Sequence, residues 1–240
     1  MALYFIWNGK DCRSMGIELG AAIPIIRPEE RVEHVQIPGR SGDMTRLESD
    51  DDSDPVFNSY IQTATIEVKG NYRTRDIFNW LRGAGYVTFH GEPDRRQEAR
   101  VIGAITLNRH SKNSQYWVGE CQFYCQPMKE LLNEPAETIT TSGSTVMNAG
   151  DVNAKPRIVA TATGTEMTIS ANNRTLTVEG LTIGEDYVID CQICEILNAD
   201  GTETLTAESS GRFPVLKQGS NTITGTGWNK LVIDRRQRFL

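Results

Sequence analysis

The sequence predicts a mainly β protein with two β-rich domains, and three observations carry that prediction. Apolar and polar residues alternate at a spacing of two along several stretches. Gly, Asn and Asp turn signals punctuate the second half at intervals of roughly 8–12 residues. Only one stretch has helical periodicity.

In chain order, residues 2–7 (ALYFIW) form an apolar opening strand that runs into the turn signal Asn8-Gly9. Between Tyr60 and Lys69, Ala64, Ile66 and Val68 share one face while Thr63, Thr65 and Glu67 share the other. In 116–125, Trp117, Cys121, Phe123 and Cys125 line up in the same way. Such alternation belongs to half-buried strands of an antiparallel sheet. The one helix is expected over about 74–84. There Ile77, Trp80, Leu81 and Ala84 make a single apolar stripe, with Thr74 as cap, Asp76 in the first turn, Arg82 in the last, and Gly83 or Gly85 at the exit.

Two prolines, a Ser/Thr/Gly run and an Asn/Gly run crowd residues 126–155, which marks a domain boundary. We therefore expect one domain over 1–134 and another over 135–240. Beyond the boundary, strands are expected at 157–162, 166–171, 174–179, 187–194, 212–216, 220–224 and 228–234, a pattern that suggests a jelly-roll sandwich.

Composition narrows the function. The chain has 240 residues, 38% of them hydrophobic, with 25 Lys and Arg against 31 Asp and Glu, for a net charge of −6. The deficit of positive charge is shared by both halves, which argues against nucleic acid as the main partner. No apolar run approaches the ~20 residues of a membrane span, so no membrane insertion is expected. The apolar start lacks a basic region before it and a small-residue cleavage site after it, so the product is expected to be made in the cytoplasm. The five cysteines, an odd number, suggest free thiols.

Little in the sequence carries catalytic or metal chemistry. The acidic run Glu48–Asp54 fails as a calcium loop, because Pro55 and Ile61 stand where Gly and Glu are needed. Cys191-x-x-Cys194 has no second cysteine pair and no paired histidine, and on a strand the two thiols point to opposite faces. His34, His90 and His110 are far from any nucleophile elbow and read as surface or turn residues. Glu29 and Glu30 face opposite sides of any strand and make a poor acid–base pair. No catalytic residue, no metal and no cofactor is assigned, and the protein is not expected to be an enzyme.

Taken together, several stretches resemble a known family. The chain has an aromatic strand ending in WNGK, then RVEHVQIPGRSGDMT (31–45), an acidic loop, TIEVKG, and the helix RTRDIFNWLRGAG. Then come NAGDVNAKPRIVATATG and a closing NKLVIDRRQRFL. Their order is similar to that of the distal tail proteins of long, non-contractile-tailed phages and related prophages. The resemblance covers nearly the whole chain, and IPGRSGDMT (37–45) and NAG…AKPRI (148–158) are its most specific pieces.

The resemblance implies a first domain made of a β-sandwich with one helix and an extended β-hairpin. Six copies of it form a ring that joins the tail tube protein to the tail-tip protein or baseplate. It implies a second, galectin-like sandwich projecting outward, compact here and without a long sugar-binding insertion. It also implies a virion component assembled in the host cytoplasm. In the 37–43 loop the two glycines permit positive φ and Pro38 stiffens the approach. Pro38, Gly39, Arg40, Gly42 and Asp43 are therefore candidate subunit-interface residues, with Arg40 and Asp43 paired in the loop or across subunits; an ordinary hairpin turn is the competing reading. The alternative function is carbohydrate or receptor binding through the second domain. Only Tyr187, Phe213, Trp228 and Phe239 of the 18 aromatic residues lie there, few for a sugar-stacking platform.

Overall fold

Period-two burial governs the longest strands, and the sheets follow from it. The computed structural model describes residues 3–49, 54–70, 74–109, 115–201 and 204–240. Strand accounts for 54% of the chain and helix for 6%. The chain divides into two compact units, Met1–Leu132 and Asn133–Phe239.

The first unit contains β1 (Phe5–Trp7), β2 (Lys10–Asp11), β3 (Ile17–Leu19), β4 (Val32–Val35), β5 (Met44–Leu47), β6 (Tyr60–Lys69), α1 (Thr74–Trp80), β7 (Ala84–Phe89), β8 (Arg95–Ile102), β9 (Leu107–Arg109) and β10 (Tyr116–Leu131). Its main sheet runs β2-β1-β7-β8-β10-β6-β3, antiparallel throughout, with β9 also paired to β10. The sheet curls into a half-barrel. β4 and β5 stand outside it as a two-stranded ribbon.

The register puts the alternating residues where the sequence reading placed them. Ala64, Ile66 and Val68 are buried opposite Cys121, Gly119 and Trp117. The core is aromatic. The Phe123 ring lies 5.3 Å from Phe5, 5.5 Å from Trp7 and 5.8 Å from Phe89 in edge or tilted geometries.

The helix is shorter than expected. α1 ends at Trp80, Leu81 N–H still donates to Ile77 O at 2.8 Å, and Gly83 turns the chain with φ +77°. Ile77 and Leu81 are buried as expected, but Trp80 is half-buried, stacked on Phe5 at 5.8 Å. Ala84 is not on the helix at all; it opens β7 and is exposed. The glycine at position 83 stops the helix before the stripe is complete.

The second unit is a sandwich of two five-stranded antiparallel sheets. Its strands are β11 (Glu137–Ile139), β12 (Ser144–Asn148), β13 (Arg157–Ala162), β14 (Glu166–Ala171), β15 (Arg174–Glu179), β16 (Asp186–Asp190), β17 (Glu195–Asn198), β18 (Ser209–Gly211), β19 (Gly219–Thr226) and β20 (Trp228–Asp234). One sheet is β11-β20-β13-β16-β17 and the other β12-β19-β14-β15-β18. Between them lies an aliphatic core that includes Ile158, Met167, Ile169, Leu176, Ile189, Ile196, Leu231 and Ile233.

Two expected strands are corrected here. Residues 212–216 form a loop, and the strand expected over 187–194 ends at Asp190. The cysteine pair therefore sits in a four-residue turn between β16 and β17, with Cys191 buried and Cys194 exposed at φ +57°. Asp190 fixes that turn: its Oδ1 accepts from Gln192 N–H at 3.0 Å and binds Arg236 Nη1 at 2.8 Å.

Loop order in the second unit rests on buried amides. Asn148 Nδ2 donates to Val152 O and Leu216 O at 3.0 and 2.9 Å, while its Oδ1 accepts from Gly150 N–H. Asn221 Nδ2 donates to Lys217 O and Gly219 O, and Asn172 Nδ2 donates to Asn221 Oδ1. Such bonds order the loops by giving backbone carbonyls such as Val152 O and Lys217 O a side-chain donor.

Candidate functional site

The ribbon of β4 and β5 carries the 37–43 loop at its tip. Val32 pairs with Leu47, Glu33 with Arg46, His34 with Thr45 and Val35 with Met44. Cross-strand partners share a face, so each face holds one apolar and one polar pair. All eight of these residues except Val32 are exposed, so neither face packs on a core.

The base of the ribbon is anchored by backbone. Arg31 N–H donates to Val56 O at 2.7 Å, Asn58 N–H to Glu29 O at 2.8 Å, and Glu48 N–H to Arg31 O at 3.1 Å. The Arg31 side chain adds a bond to Asn58 Oδ1 at 3.2 Å and an ion pair to Glu48 at 3.5 Å. The arm is thus fixed at one end and free along its length. An isolated two-stranded ribbon is only marginally stable in water, which makes the exposed faces candidates for outside contact.

At the tip, Arg40 N–H donates to Ile37 O at 3.1 Å, closing a turn with Pro38 and Gly39 in its centre. Gly39 has φ +81°, the conformation that a turn of type II needs at its third residue, and proline suits the second. Gly42 has φ +81° as well, and a Cβ at either glycine would meet nothing within 4 Å. Backbone conformation, and not crowding, demands these glycines. The candidate interface residues are therefore brought together at one exposed point. Among the described residues, Arg40 and Asp43 form no ion pair with each other or with any other group. Ile37 and Met44, 39% and 45% exposed, flank them.

The other residues weighed from sequence are scattered. His34 is exposed on β4 at 3.5 Å from Thr45 Oγ1. His90 is buried and not at the surface, with its N–H and Nδ1 both against Tyr4 O; the adjacent turn folds back onto the strand at Tyr4. His110 and acidic residues 50–53 lie outside the described residues. Burial pushes the thiols of Cys121 and Cys125 up to about 12 and raises Cys12 and Cys191 as well. Thiols held protonated in this way are poor nucleophiles.

Sequence reasoning missed one polar cluster. Lys129, almost wholly buried, binds Glu92 at 2.6 Å, and Arg95 reaches the same carboxylate at 3.2 Å. Lys129 lies on the same inward face as Cys121, Phe123 and Cys125, paired with Gln97 beyond a shift in register, and Gln97 Oε1 accepts from Tyr60 O–H at 3.0 Å. Burial raises that tyrosine to about 12, only partly offset by the bond to Gln97. The period of two read over 116–125 reaches Lys129 when it is extended, but a lysine at an inward position carries no apolar signal that marks it as buried. Glu92 holds two cations at once, an ion-paired set of the kind that orders structure.

A groove of about 550 Å³ lined by Thr65, Thr106, Asn108, Arg109, Val118 and Glu120 lies beside β9. Among the described residues its lining holds no Ser, Cys, His or Lys. Among the described residues no group of His, Cys, Asp and Glu could hold a metal ion, and no helix is long and apolar enough to cross a membrane.

No family model and no curated protein matches the sequence. A solved structure does match: the Dit protein of phage SPP1, presented as a paradigm of the hub adsorption apparatus in phages that infect Gram-positive bacteria. Its alignment covers 100% of both chains with a TM-score of 0.79 and 16% sequence identity. The chain has the fold of a phage distal tail protein. The distal tail fold accounts for the β-rich first unit with its single helix and for the second β unit in one alignment, end to end. At this identity the likeness resides in backbone architecture, and few side chains are shared.

Proposed function

We propose that this protein is a structural component of a phage tail, a distal tail protein that acts by assembly and not by catalysis. In this reading six copies close into a ring through the first unit, the ring joins the tail tube protein to the tail-tip protein, and a galectin-like second unit faces outward. The virion is its place of action. The observation that carries the reading is the full-length fold match, which spans both units of both chains. The exposed arm supports it independently. A closed ring needs a heterologous interface, two different patches per copy, and an arm anchored only at its base supplies one of them. Pro38, Gly39, Arg40, Gly42 and Asp43 shape and charge the tip of that arm.

Native mass spectrometry and negative-stain electron microscopy of the full chain at high concentration test this reading. A six-fold closed species is expected, and residues 1–134 alone should retain the ability while 137–240 alone should stay monomeric. A ring formed by 137–240 and not by 1–134 would reverse the assignment of roles.

A further inference from the structure

If copies join through the arm, the tip must meet a second patch, and the main sheet of the first unit offers one. Opposite its buried face, the sheet presents a row that crosses four strands: Ala84 on β7, Arg100 on β8, Tyr124 on β10 and Ile61 on β6 are successive cross-strand partners. Glu98, two residues before Arg100, stands opposite Tyr86. Tyr86 and Tyr124 are each 41% exposed and Ile61 is 50% exposed. Tyr86 is held by the Arg96 guanidinium 4.5 Å above its ring, and Arg96 is tied to Glu130 at 3.1 Å. Rigid, exposed tyrosines beside arginine are the composition that concentrates binding energy at interfaces.

The charges on this face match the tip. Among the described residues Glu98 and Arg100 have no ion-pair partner, like Arg40 and Asp43. Each patch therefore carries a cation and an anion without an ion-pair partner among the described residues, two or three positions apart in the chain, beside exposed apolar residues: Val35, Ile37 and Met44 at the tip, Ile61, Tyr86 and Tyr124 on the sheet. The two patches are different, so their contact runs head to tail and propagates from copy to copy, as a ring requires.

We propose that the tip of the β4–β5 arm docks on this sheet face of a second copy of the chain, with Arg40 against Glu98 and Asp43 against Arg100. The proposal rests on the ring reading and names the surface that the ring uses. Complementary charge fixes the register of the docked arm, and the apolar residues around it exclude water.

Two measurements on the full chain test it. A photo-crosslinking amino acid at Met44, in a mixture of isotopically light and heavy chains, should give light–heavy crosslinks to peptides from β7, β8 or β10. The reversals Arg40→Glu and Glu98→Arg should each weaken association by about tenfold or more, and together they should restore it. Both positions are exposed, and circular dichroism will show that the variants fold. A ring that forms with crosslinks elsewhere, or only within one chain, or that ignores both reversals, overturns the docking and leaves the ring reading intact. A wild-type chain that stays monomeric at every concentration overturns both.

Discussion

The two units solve the same problem, a buried β core, with different side chains. In the first, three rings converge on Phe123, and the sheet also shows aromatic residues outward at Tyr86, Tyr116 and Tyr124. In the second, the core is almost wholly aliphatic, and the outward positions of β14, β15 and β19 are mostly threonine and serine, with Thr168 paired to Thr226 at 3.0 Å and Ser170 to Thr175 at 2.6 Å. Outward hydroxyls satisfied across strands suit a surface that stays in water; outward tyrosines and an unsupported arm suit one that does not. The difference is the one expected if assembly belongs to the first unit and exposure to the second.

The comparison can be broken first at the cores. Phe123→Ala should destabilise the first unit by about 3–5 kcal/mol, and Leu231→Ala the second by about 2–5 kcal/mol. Scanning calorimetry should show each variant lowering a different transition; a single transition shifted alike by both would mean that the units share one cooperative core. A smaller effect is expected from Asn221→Ala, which strips Lys217 O and Gly219 O of their donor. It should cost roughly 1–3 kcal/mol in denaturant titrations, confined to the second unit.

The Asp190–Arg236 pair sharpens the comparison by pH. Burial alone would raise the Asp190 carboxyl, but the Arg236 guanidinium and the turn N–H groups outweigh it and hold the carboxyl below its ordinary value. A depressed folded-state value means that the stabilisation is complete above the unfolded value near 4 and is lost as pH falls through the lower, folded one. Asp190→Asn should therefore flatten the acid limb of the second unit's stability below about pH 4, and leave that of the first unit unchanged. The smallest effect belongs to the arm tip. Arg40→Glu should change folding stability by no more than about 0.5 kcal/mol, because the side chain is exposed and makes no hydrogen bond or ion pair among the described residues. A large loss there would show that the tip packs at home and is not held out for a partner.

Much of this architecture was legible in the residues. The alternation of β6 and of the first half of β10, the turn at Asn8-Gly9, the boundary region and most strands of the second unit follow from local pattern, because one wet face and one dry face leave a period of two. What escaped was set by distant contacts. The strand cut short at Asp190 depends on an arginine 46 residues away. Lys129 is held inward by Glu92, 37 residues earlier, and the burial of His90 depends on Tyr4, 86 residues earlier. The tip loop was legible as a turn, since Pro-Gly chemistry is local. That it stands exposed at the end of an arm was not, because a strand with mixed faces gives no periodic signal of what lies beside it.

Four of the five thiols are sealed in the two cores and kept protonated by burial, while Cys194 stands on a tight turn in the open. Nature has in effect left a single chemical handle on the molecule. Under native conditions a maleimide dye should couple once per chain, at Cys194, and the remaining four sites should react only after denaturant is added. Mass spectrometry of the labelled protein will count them. A dye placed there marks the second unit without any engineered substitution, so counting dyes in single particles would reveal how many copies come together, and their spacing how far apart those copies hold their second units.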